Sequence, residues 1–462
     1  MSHSRRRFLK TTAVAVAGAS LFDFNELMAA PPLVRLDVGP LTAGSPALKS
    51  YAKAITAMQA LPTTNPLSWA YQAAIHGTTL SGSHPAWNTC QHGTPYFWSW
   101  HRMYLYWFER IIRKMSNDPT FALPYWNYEA STERYLPVPF RDAASSLYTS
   151  HRGAGWNAGT SFLSSSAVAT SGFMPVIPYF TAQGNCEGTP HGAVHVSIGG
   201  WMGSVPTAAQ DPIFYLHHAN IDRWWNLWLK QGGGRSNPLS DAAWKTTKFL
   251  FFDENGAQQW MTGCDVLRAA LQLNYTYQGE GTQVNQYCLK VLPWWVFEKE
   301  WLIEWPPIKL PPGPDPGPIE INVREQRKRL LTVANDANTD VTLELEGVEA
   351  DKQPSVFWEV YVGLPKGKAP SSESAHYVGN IALFGHGVRD EHQHGGFKPA
   401  EFSFKVDRAL QNALAQDESG KLDLTFVARG AETKGGTREL VRNDANLSVG
   451  KARLAARRLK KT

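Results

Sequence analysis

Apolar side chains recur every three or four positions in several stretches before residue 305, a spacing typical of amphipathic helices. The segment HRMYLYWFERIIRKM, residues 101–115, is the clearest case and predicts a buried helix. Long connections rich in Gly, Ser and Pro separate such segments, above all at residues 131–188. We predict a mainly α domain with extensive irregular loops over residues 31–305, with helices at 47–61, 66–76, 97–115, 190–198, 212–230 and 264–273.

The pattern changes beyond residue 318 to short runs in which apolar and polar residues alternate, separated by turn residues. These runs predict an all-β sandwich over residues 319–431. Before it, EWPPIKLPPGPDPGP is too rich in proline for a helix or a central strand, so an extended linker is predicted at residues 306–318. The polar, basic end, residues 432–462, is predicted to be a helix or a flexible tail. The runs lie at residues 329–335, 340–348, 355–364, 376–385, 401–406 and 421–430.

The N-terminus has the features of an export signal. SRRRFLK is followed by the weakly apolar run TTAVAVAGASLF and by small residues near Ala30. This order predicts a twin-arginine signal peptide over residues 1–30 and a periplasmic or secreted protein. The apolar run is about a dozen residues, too short to span a bilayer, and we expect no membrane anchor in the mature protein.

Composition narrows the possible partners. Hydrophobic residues make up 43% of the 462 residues and there are 18 Trp, which predicts a large aromatic core. The formal charge of +5 comes mainly from the two ends, so no basic stripe for nucleic acid is expected. Four cysteines are few for an exported protein of this size, and Cys264 and Cys288 could pair. The sequence does not indicate an oligomeric state.

Two groups of histidines have spacings that favour metal binding. His191 and His195 are four apart, so on one helix their side chains point the same way. His92 and His101 are nine apart, but the Gly-Thr-Pro sequence between them breaks the helix, so His92 can lie on a loop and His101 on the next helix. The predicted groups are His76, His92 and His101, and then His191, His195 and His218.

Two adjacent histidines compete for the sixth position, in DPIFYLHHANIDRWW. Asp211-Pro212 predicts the start of a helix there. His218 has Asp222 one turn later, well placed to stabilise that part of the helix, whereas His217 would face elsewhere. We take His218 as the ligand and leave His217 as a packing neighbour of the site.

Two triads of neutral imidazole, with no carboxylate or thiolate completing either, suit a pair of copper ions. Three-coordinate ions leave room for an exogenous molecule, so dioxygen chemistry at a dinuclear copper centre is predicted. A zinc hydrolase fits less well, because no ligating carboxylate is present and the triad is doubled.

The segments HRMYLYWFE and DPIFYLHHANID resemble the two copper signatures of the tyrosinase and polyphenol oxidase family of type 3 copper proteins. The resemblance covers most of residues 60–300 through motifs, and the predicted sandwich looks like the C-terminal domain of plant and bacterial members. It implies that the first histidine group holds one copper ion and the second group holds the other.

The resemblance also implies roles for residues next to the ligands. Cys90 matches a Cys-x-His arrangement in which the sulfur of some members is bonded covalently to the ligand imidazole, here His92; a buried free thiol is the alternative. Phe97 and Phe214 precede ligands and are expected to pack against their rings. Plain core packing would explain both phenylalanines equally.

Three positions bear on substrate activation. Glu187 lies four before His191, where related enzymes have a carboxylate that orders a water near the coppers. Gly192 departs from the frequent Asn of the family, which puts deprotonation of monophenols in doubt. Val205 falls where plant enzymes often have a bulky Phe, and the small side chain would leave the entrance open.

Related enzymes use the C-terminal domain as a cover that inserts one side chain into the substrate pocket. In HYVGNIALFGHG the matching plug is Phe384, with Leu383 second, although a strand phenylalanine could simply fill the sandwich core. The intact chain is therefore expected to be latent. Exposed loop positions are the simplest interpretation of four further histidines, with copper delivery as the alternative: His376, His386, His392 and His394.

Together these features predict an enzyme that uses two copper ions to oxidise a phenolic small molecule with O2 to an ortho-quinone. It would hydroxylate monophenols, oxidise ortho-diphenols, or do both; catechol oxidase activity alone is an alternative because of Gly192. Reversible oxygen carriage, as in hemocyanins, is a further alternative. A carrier would need permanent shielding, and the apparent hinge at residues 306–318 favours the enzyme.

Overall fold

The computed structural model describes residues 32–80, 84–280, 295–313, 317–336, 339–388, 399–416, 420–430, 432–433 and 443–461. The predicted signal peptide, Cys288, His392 and His394 lie outside these residues. Among the described residues, no helix combines the length and apolar character needed to cross a membrane.

Helices dominate the part of the chain before residue 280, as the apolar spacing predicts. Helix α3 packs against both α1 and α7, and together they form the frame of the domain. The helices are α1 (Pro46–Gln59), α2 (Trp69–His76), α3 (Phe97–Ser116), α4 (Tyr179–Cys186), α5 (Ala193–Ile198), α6 (Val205–Ala208), α7 (Ile213–Lys230), α8 (Ala242–Thr246) and α9 (Ala269–Gln272).

Short strands complete this helical domain. Strand β1 (Leu33–Arg35) pairs in parallel with β5 (Tyr275–Tyr277), and β3 (Phe249–Phe252) pairs with β4 (Gln258–Met261). Strand β2 (Ser161–Phe162) lies in the long connection before α4. Residues 187–192 form a wide π-type turn between α4 and α5, interrupted by an extended backbone at Thr189.

Local sequence signals set the ends of the helices that frame the site. Helix α2 begins at Ser68, whose side chain accepts a hydrogen bond from the backbone N–H of Tyr71, and ends before Gly77. Helix α3 ends at Asn117, whose left-handed backbone (φ 56°) closes the last turn. The end of α2 fixes where the loop that carries His92 leaves its helix.

A buried ionic network joins α3 and α7. The guanidinium of Arg35 donates to Glu109 at 2.9 Å and lies 3.3 Å from Asp222, and Arg102 also pairs with Asp222. Burial alone would raise the pKa of Asp222, but the two guanidinium groups lower it below its ordinary value. Removing one member would leave a buried charge unpaired, so the network holds the helices in one register.

The C-terminal domain is a sandwich of two antiparallel sheets around its own apolar core, as predicted. One sheet has the order β11-β10-β13-β8 and the other β12-β9-β15-β6, with β7 also paired to β15. The strands are β6 (Trp295–Trp305), β7 (Ile308–Leu310), β8 (Ile319–Asn322), β9 (Thr339–Ala350), β10 (Phe357–Val362), β11 (Tyr377–Ile381), β12 (Ala400–Lys405), β13 (Lys421–Arg429) and β15 (Leu447–Lys461). The short β14 (Glu432–Thr433) pairs instead with β2 of the helical domain.

The structure corrects three predicted boundaries. The predicted helix or tail at residues 432–462 is wrong for residues 447–461, because these form β15, an inner strand paired with β9 and β6. Strand β6 belongs to this sheet, so the helical domain does not extend to residue 305. Residues 306–318 are not simply a linker, since β7 pairs with Leu447–Val449 of β15.

One predicted strand is a helix. In the run predicted at residues 329–335, residues 329–334 fall in α10 (Arg327–Ala334), whose buried residues Leu330 and Val333 lie three apart and face the sandwich. A second helix, α11 (Asp407–Gln416), packs beside it. The apolar runs between 339 and 430 otherwise became strands, because their alternation matches the two-residue period of a sheet with one buried face.

Candidate metal centre

Four helices and two connecting segments bring seven imidazole rings together in the interior of the helical domain. His76 ends α2, His101 lies on α3 and His195 lies on α5. His92 stands on the loop before α3, as predicted, and His191 on the wide turn. The metal-binding groups that the described residues can form are His76, His92 and His101, and then His191, His195, His217 and His218, the candidate ligand atoms of each lying within 4.8 Å of one another.

Backbone carbonyls orient four of the rings. Each of these imidazoles donates its Nδ1 proton to a main-chain oxygen, which fixes the tautomer and leaves the Nε2 lone pair free. The distances are 3.1 Å from His76 to Val205, 2.8 Å from His101 to Phe97, 3.0 Å from His191 to Glu187 and 2.7 Å from His195 to Met202.

The free ring nitrogens fit a metal site. The Nε2 atoms of His76, His92, His101 and His191 are buried and have no hydrogen-bond partner, which is costly unless another group satisfies them. In the second group, Nε2 of His195 and Nε2 of His218 lie 3.3 Å apart. Two sets of neutral nitrogen donors without a carboxylate are the ligand chemistry of copper.

The surroundings keep these rings neutral. Burial lowers the pKa of His76 to about 3, against a weaker opposing effect of its bond to Val205. Burial first, and neighbouring imidazoles next, also hold the pKa of His92, His191 and His218 well below the ordinary value. A neutral imidazole is the form that binds metal, so the site is prepared before any ion arrives.

The predicted aromatic supports are confirmed as contacts. The ring of Phe97 lies 4.9 Å from that of His101 and 4.7 Å from that of His191. The ring of Phe214 lies 4.7 Å from His76 and 4.2 Å from His218. Each phenylalanine therefore touches one imidazole from each group and restricts the rotation of both.

His217 does not face elsewhere, contrary to the sequence-based prediction. Its ring lies 4.8 Å from that of His195, and its Nδ1 lies 2.8 Å from the hydroxyl oxygen of Tyr128. The prediction was wrong because α7 crosses the site so closely that consecutive residues both reach it. Asp222, expected to support His218, instead belongs to the ionic network.

Cys90 lies beside a ligand ring. Its sulfur is 3.4 Å from Nδ1 of His92, and the thiol is free. Burial, and then the nearby Glu187, raise the pKa of this thiol. Cys186 is also free, whereas Cys264 is disulfide-bonded; its candidate partner Cys288 lies outside the described residues.

The three positions predicted to act on substrate occupy different surroundings. The Glu187 carboxylate is buried, accepts a 2.6 Å hydrogen bond from the N–H of Gly93, and has its pKa raised well above the usual range by burial. Val205 contacts the site through its carbonyl, the acceptor for His76. Gly192 faces Ala382 of the C-terminal domain.

The C-terminal domain reaches into the site through the segment after β11. The ring of Phe384 stacks on that of His195, with centroids 3.9 Å apart and planes 8° from parallel. Phe384 belongs to the apolar core of the helical domain, whereas Leu383 belongs to the sandwich core. The ring of Phe384 therefore fills the flat space over the imidazole of His195.

Sequence reasoning missed the position of His386. Its Nδ1 lies 3.5 Å from a carboxylate oxygen of Glu187, so it is a buried contact between the two domains. His376 is likewise buried, inside the sandwich. The available signal was proximity in sequence, since a residue two positions after Phe384 would lie near the same interface.

These features define a buried dinuclear metal protein with an aromatic plug over the site. The sequence matches the family described as the common central domain of tyrosinase at residues 66–172 and 157–231, and the polyphenol oxidase middle domain at residues 239–287. Residues 318–430 match a family described only as a domain of unknown function. Residues 66–231 and 239–287 therefore place the helical domain in the tyrosinase and polyphenol oxidase family.

Two curated relatives illustrate the extent of the similarity. A tyrosinase of Hahella sp. (strain CCB-MM4) is 36% identical over 283 residues, which cover 50% of this chain and 60% of that protein. The latent chloroplastic polyphenol oxidase of Prunus armeniaca is 32% identical over 279 residues, which cover 50% of this chain and 46% of that protein. The chain spans about half the length of these relatives.

Two solved structures share the fold over nearly the whole chain. Latent apple tyrosinase matches with a TM-score of 0.65 at 22% identity, covering 92% of this chain and 97% of that one. Recombinant latent aurone synthase, a polyphenol oxidase, matches with a TM-score of 0.62 at 21% identity, covering 93% and 90%. The helical domain and the sandwich above it are therefore one shared architecture.

Proposed function

We propose that this chain is a copper-dependent phenol oxidase that produces ortho-quinones and is held latent by its own C-terminal domain. The observation that carries the proposal is the stack of Phe384 on His195, because an aromatic ring already occupies the place beside the ligands where a phenol would bind. We assign the first copper to His76, His92 and His101, and the second to His191, His195 and His218.

The reaction balances with dioxygen as the only oxidant. Two ortho-diphenols and one O2 give two ortho-quinones and two waters, and one monophenol and one O2 give one ortho-quinone and one water. When bound, the copper pair supplies the redox chemistry, binding dioxygen and taking electrons from the phenol. The residues of the chain orient the phenol ring over His195 and exclude water from the buried pocket.

Proton handling is assigned to Glu187. Its carboxylate lies beside the ligand loop through Gly93 and touches the C-terminal domain through His386. Once that domain moves away, water would reach the carboxylate, and the pair could accept the phenolic proton. Gly192 offers no side chain to hold such a water, so we expect faster turnover of ortho-diphenols than of monophenols. Val205 offers only a small side chain at the entrance.

Two further assignments concern maturation. We propose export by the twin-arginine route, which cell fractionation would test: replacing Arg5 and Arg6 by lysine should leave the protein in the cytoplasm. We also propose a thioether between Cys90 and His92, supported by their 3.4 Å approach. Its formation removes two hydrogens, with dioxygen as electron acceptor, so the peptide would be lighter by that mass and would resist thiol alkylation.

The main test compares the full-length, copper-loaded wild type with Phe384→Ala. The wild type should bind two copper ions and oxidise a simple catechol slowly until a mild detergent opens it. Phe384→Ala should raise the rate without detergent by about tenfold or more, because the aromatic pocket is empty. A matched monophenol measured alongside separates the two activities.

Phe426→Ala is the control, because it removes the same ring from the sandwich core, away from the site. It should lower the melting temperature without reproducing the effect of Phe384→Ala at temperatures where the domain stays folded. One copper per chain, or no quinone from either variant in detergent, would refute the proposed function. Reversible oxygen uptake without quinone would favour an oxygen carrier instead.

A further inference from the structure

The two domains meet over the wide turn that carries the ligand His191. Asn380 donates to the carbonyl of Ser166 at 2.8 Å, and the N–H of Ser403 lies 3.4 Å from the side-chain oxygen of Asn185. Between these polar contacts lies a small apolar cluster that includes Ala193 and Ala382. The interface is thus closely packed against the turn itself.

Gly192 has no conformational need to be glycine. Its backbone is helical (φ −62°, ψ −37°), and in that conformation alanine is more favourable by roughly 0.5–1 kcal/mol. The limit is space: a methyl group at this position would lie 3.1 Å from Cβ and 3.4 Å from the carbonyl oxygen of Ala382, and 3.2 Å from the carbonyl oxygen of Glu187. The nearest of these atoms belongs to the C-terminal domain.

Gly188, one turn earlier, repeats the pattern. Its φ is not positive, and the turn departs from helical dihedrals only at Thr189. A methyl group on Gly188 would lie 2.9 Å from the ring of Phe402, again a residue of the C-terminal domain. The two glycines therefore form a flat, methyl-free face on the ligand turn, and we call Gly188 and Gly192 the glycine face.

The opposite side of the interface approaches just as closely. Gly385 has a left-handed backbone (φ 78°), and a methyl group there would lie 2.2 Å from Nδ1 of His92. Gly385 directly follows Phe384. The missing side chains on both surfaces thus let the segment after β11 descend far enough for the phenylalanine ring to reach His195.

We propose that the glycine face is the docking determinant for the C-terminal domain and sets how completely the chain is latent. The inference rests on the proposed function and concerns the regulation of the same site. A methyl group at position 192 pushes against Ala382, two residues before Phe384, and shifts the closed arrangement toward an open one. Glycine at position 192, where the family often has Asn, thus affects docking of the C-terminal domain as well as activation of the substrate.

The test uses the full-length, copper-loaded chain and the ratio of catechol oxidation without detergent to that with mild detergent. Gly192→Ala should raise this ratio by about tenfold, as expected when one methyl group is forced into a packed contact. Backbone hydrogen exchange of residues 377–388, measured on the copper-free protein, should rise in parallel. That second measurement does not depend on catalysis.

A compensating pair makes the test specific. Combining Gly192→Ala with Ala382→Gly leaves one methyl group at this contact, as in the wild type. The double variant should therefore have the low activity ratio and the slow hydrogen exchange of the wild type. Gly184→Ala is the matched control, because a methyl group on this α4 residue meets nothing within 4 Å. It should behave like the wild type.

The outcomes separate the two ideas. If wild type and Gly192→Ala show the same low ratio and equal exchange while detergent activates both, the docking inference is wrong and the proposed function stands. If detergent releases no quinone formation from any variant, the proposed function fails. The inference would also be overturned if Gly192→Ala opens the interface and the added Ala382→Gly substitution does not close it again. The methyl group would then act within the helical domain.

Discussion

Single imidazoles in this site are held from behind by the main chain. Because the Nδ1 protons of His76 and His195 bond to the carbonyls of Val205 and Met202, both rings depend on one short segment between α5 and α7. Each candidate metal ion therefore has one ligand oriented by the same loop. Displacing that loop should disturb both halves of the site together.

The adjacent pair on α7 gives the sharpest ligand test. His218→Gln should leave one copper per chain instead of two and lower catechol oxidation in detergent by more than the roughly 10–100-fold typical of outer positions. His217→Gln should retain both ions, because we assign the second copper to His218 and not to His217, whose Nδ1 bonds Tyr128 and whose Nε2 is buried without a partner. Metal analysis of both purified variants decides between them, and the reverse pattern would make His217 the ligand.

Gly77 provides a prediction about the carbonyl that orients His76. Its backbone is extended, but a methyl group there would lie 2.6 Å from the Val205 oxygen and 2.9 Å from its carbon. Gly77→Ala should therefore push this acceptor away, destabilise the protein by about 1–3 kcal/mol and weaken binding of the first copper. Copper titration and thermal unfolding would measure both.

Gly184→Ala again serves as the control for Gly77→Ala, because it adds the same methyl group in open space. If Gly77→Ala binds copper as tightly as the control, the loop at Val205 moves without displacing the imidazole of His76. The positioning role of the Val205 carbonyl is then refuted.

At the residue scale, the sequence was sufficient to place all six predicted ligands in the two groups that the structure brings together. Histidine spacing within a helix, and a helix break between His92 and His101, are local properties that a sequence carries. The backbone acceptors behind the rings are not: any residue has a carbonyl, so nothing in Val205 or Met202 marks it. The position of His217 was also missed, because it depends on how closely α7 packs against the site, which the sequence of α7 alone does not show.

The secondary-structure elements differ in how well their pattern predicts them. The helices α1, α3 and α7 are long and periodic, and their predicted positions were nearly correct. The prediction of a helix or tail that includes residues 447–461 was wrong because alanine and arginine are frequent there, a composition typical of helices. Pairing on both sides with β9 and β6 overrides that propensity, since an inner strand gains its stability from its neighbours.

The inner position of β15 leads to a prediction on folding. Leu454 is fully buried and pairs with Leu343 and Ile303, whereas Lys451 on the same strand is exposed. Leu454→Ser should lower the free energy of unfolding of the C-terminal domain by about 2–5 kcal/mol, and Lys451→Ser by no more than about 0.5 kcal/mol. Limited proteolysis and thermal unfolding would test this, and equal behaviour would mean that the strand is dispensable.

At the scale of the whole molecule, each domain has its own apolar core, and the two meet at Phe384 and at the small cluster that includes Ala193 and Ala382. Phe384 is the residue of the C-terminal domain that the core of the helical domain includes, among the described residues. Composition and periodicity cannot predict a contact between positions so far apart in sequence. The family resemblance did favour Phe384, but the depth of its insertion and the accompanying contact of His386 needed the structure.

The contact made by His386 predicts that acid opens the molecule. Burial lowers the pKa of this imidazole to about 4 in the closed arrangement, from an ordinary value of 6.5. The groups that face it are Glu187, whose pKa burial raises so that it stays neutral, and His92, held neutral by burial. Between pH 6.5 and 4 the open form thus binds a proton that the closed form does not, and closure weakens as the pH falls, by up to about tenfold per pH unit.

Hydrogen exchange separates this opening from loss of copper or global unfolding. In the copper-free chain, exchange of residues 377–388 should accelerate from pH 6.5 to pH 4 after correction for intrinsic rates, while residues 213–230 of α7 remain protected. His386→Gln cannot take up the proton, so its exchange over the same range should be nearly flat. If hydrogen exchange depends on pH to the same extent in the wild type and in His386→Gln, another group controls closure. The expected slope follows from burial of one imidazole, whose effect on the pKa of His386 outweighs that of the hydrogen bond to the Phe384 carbonyl.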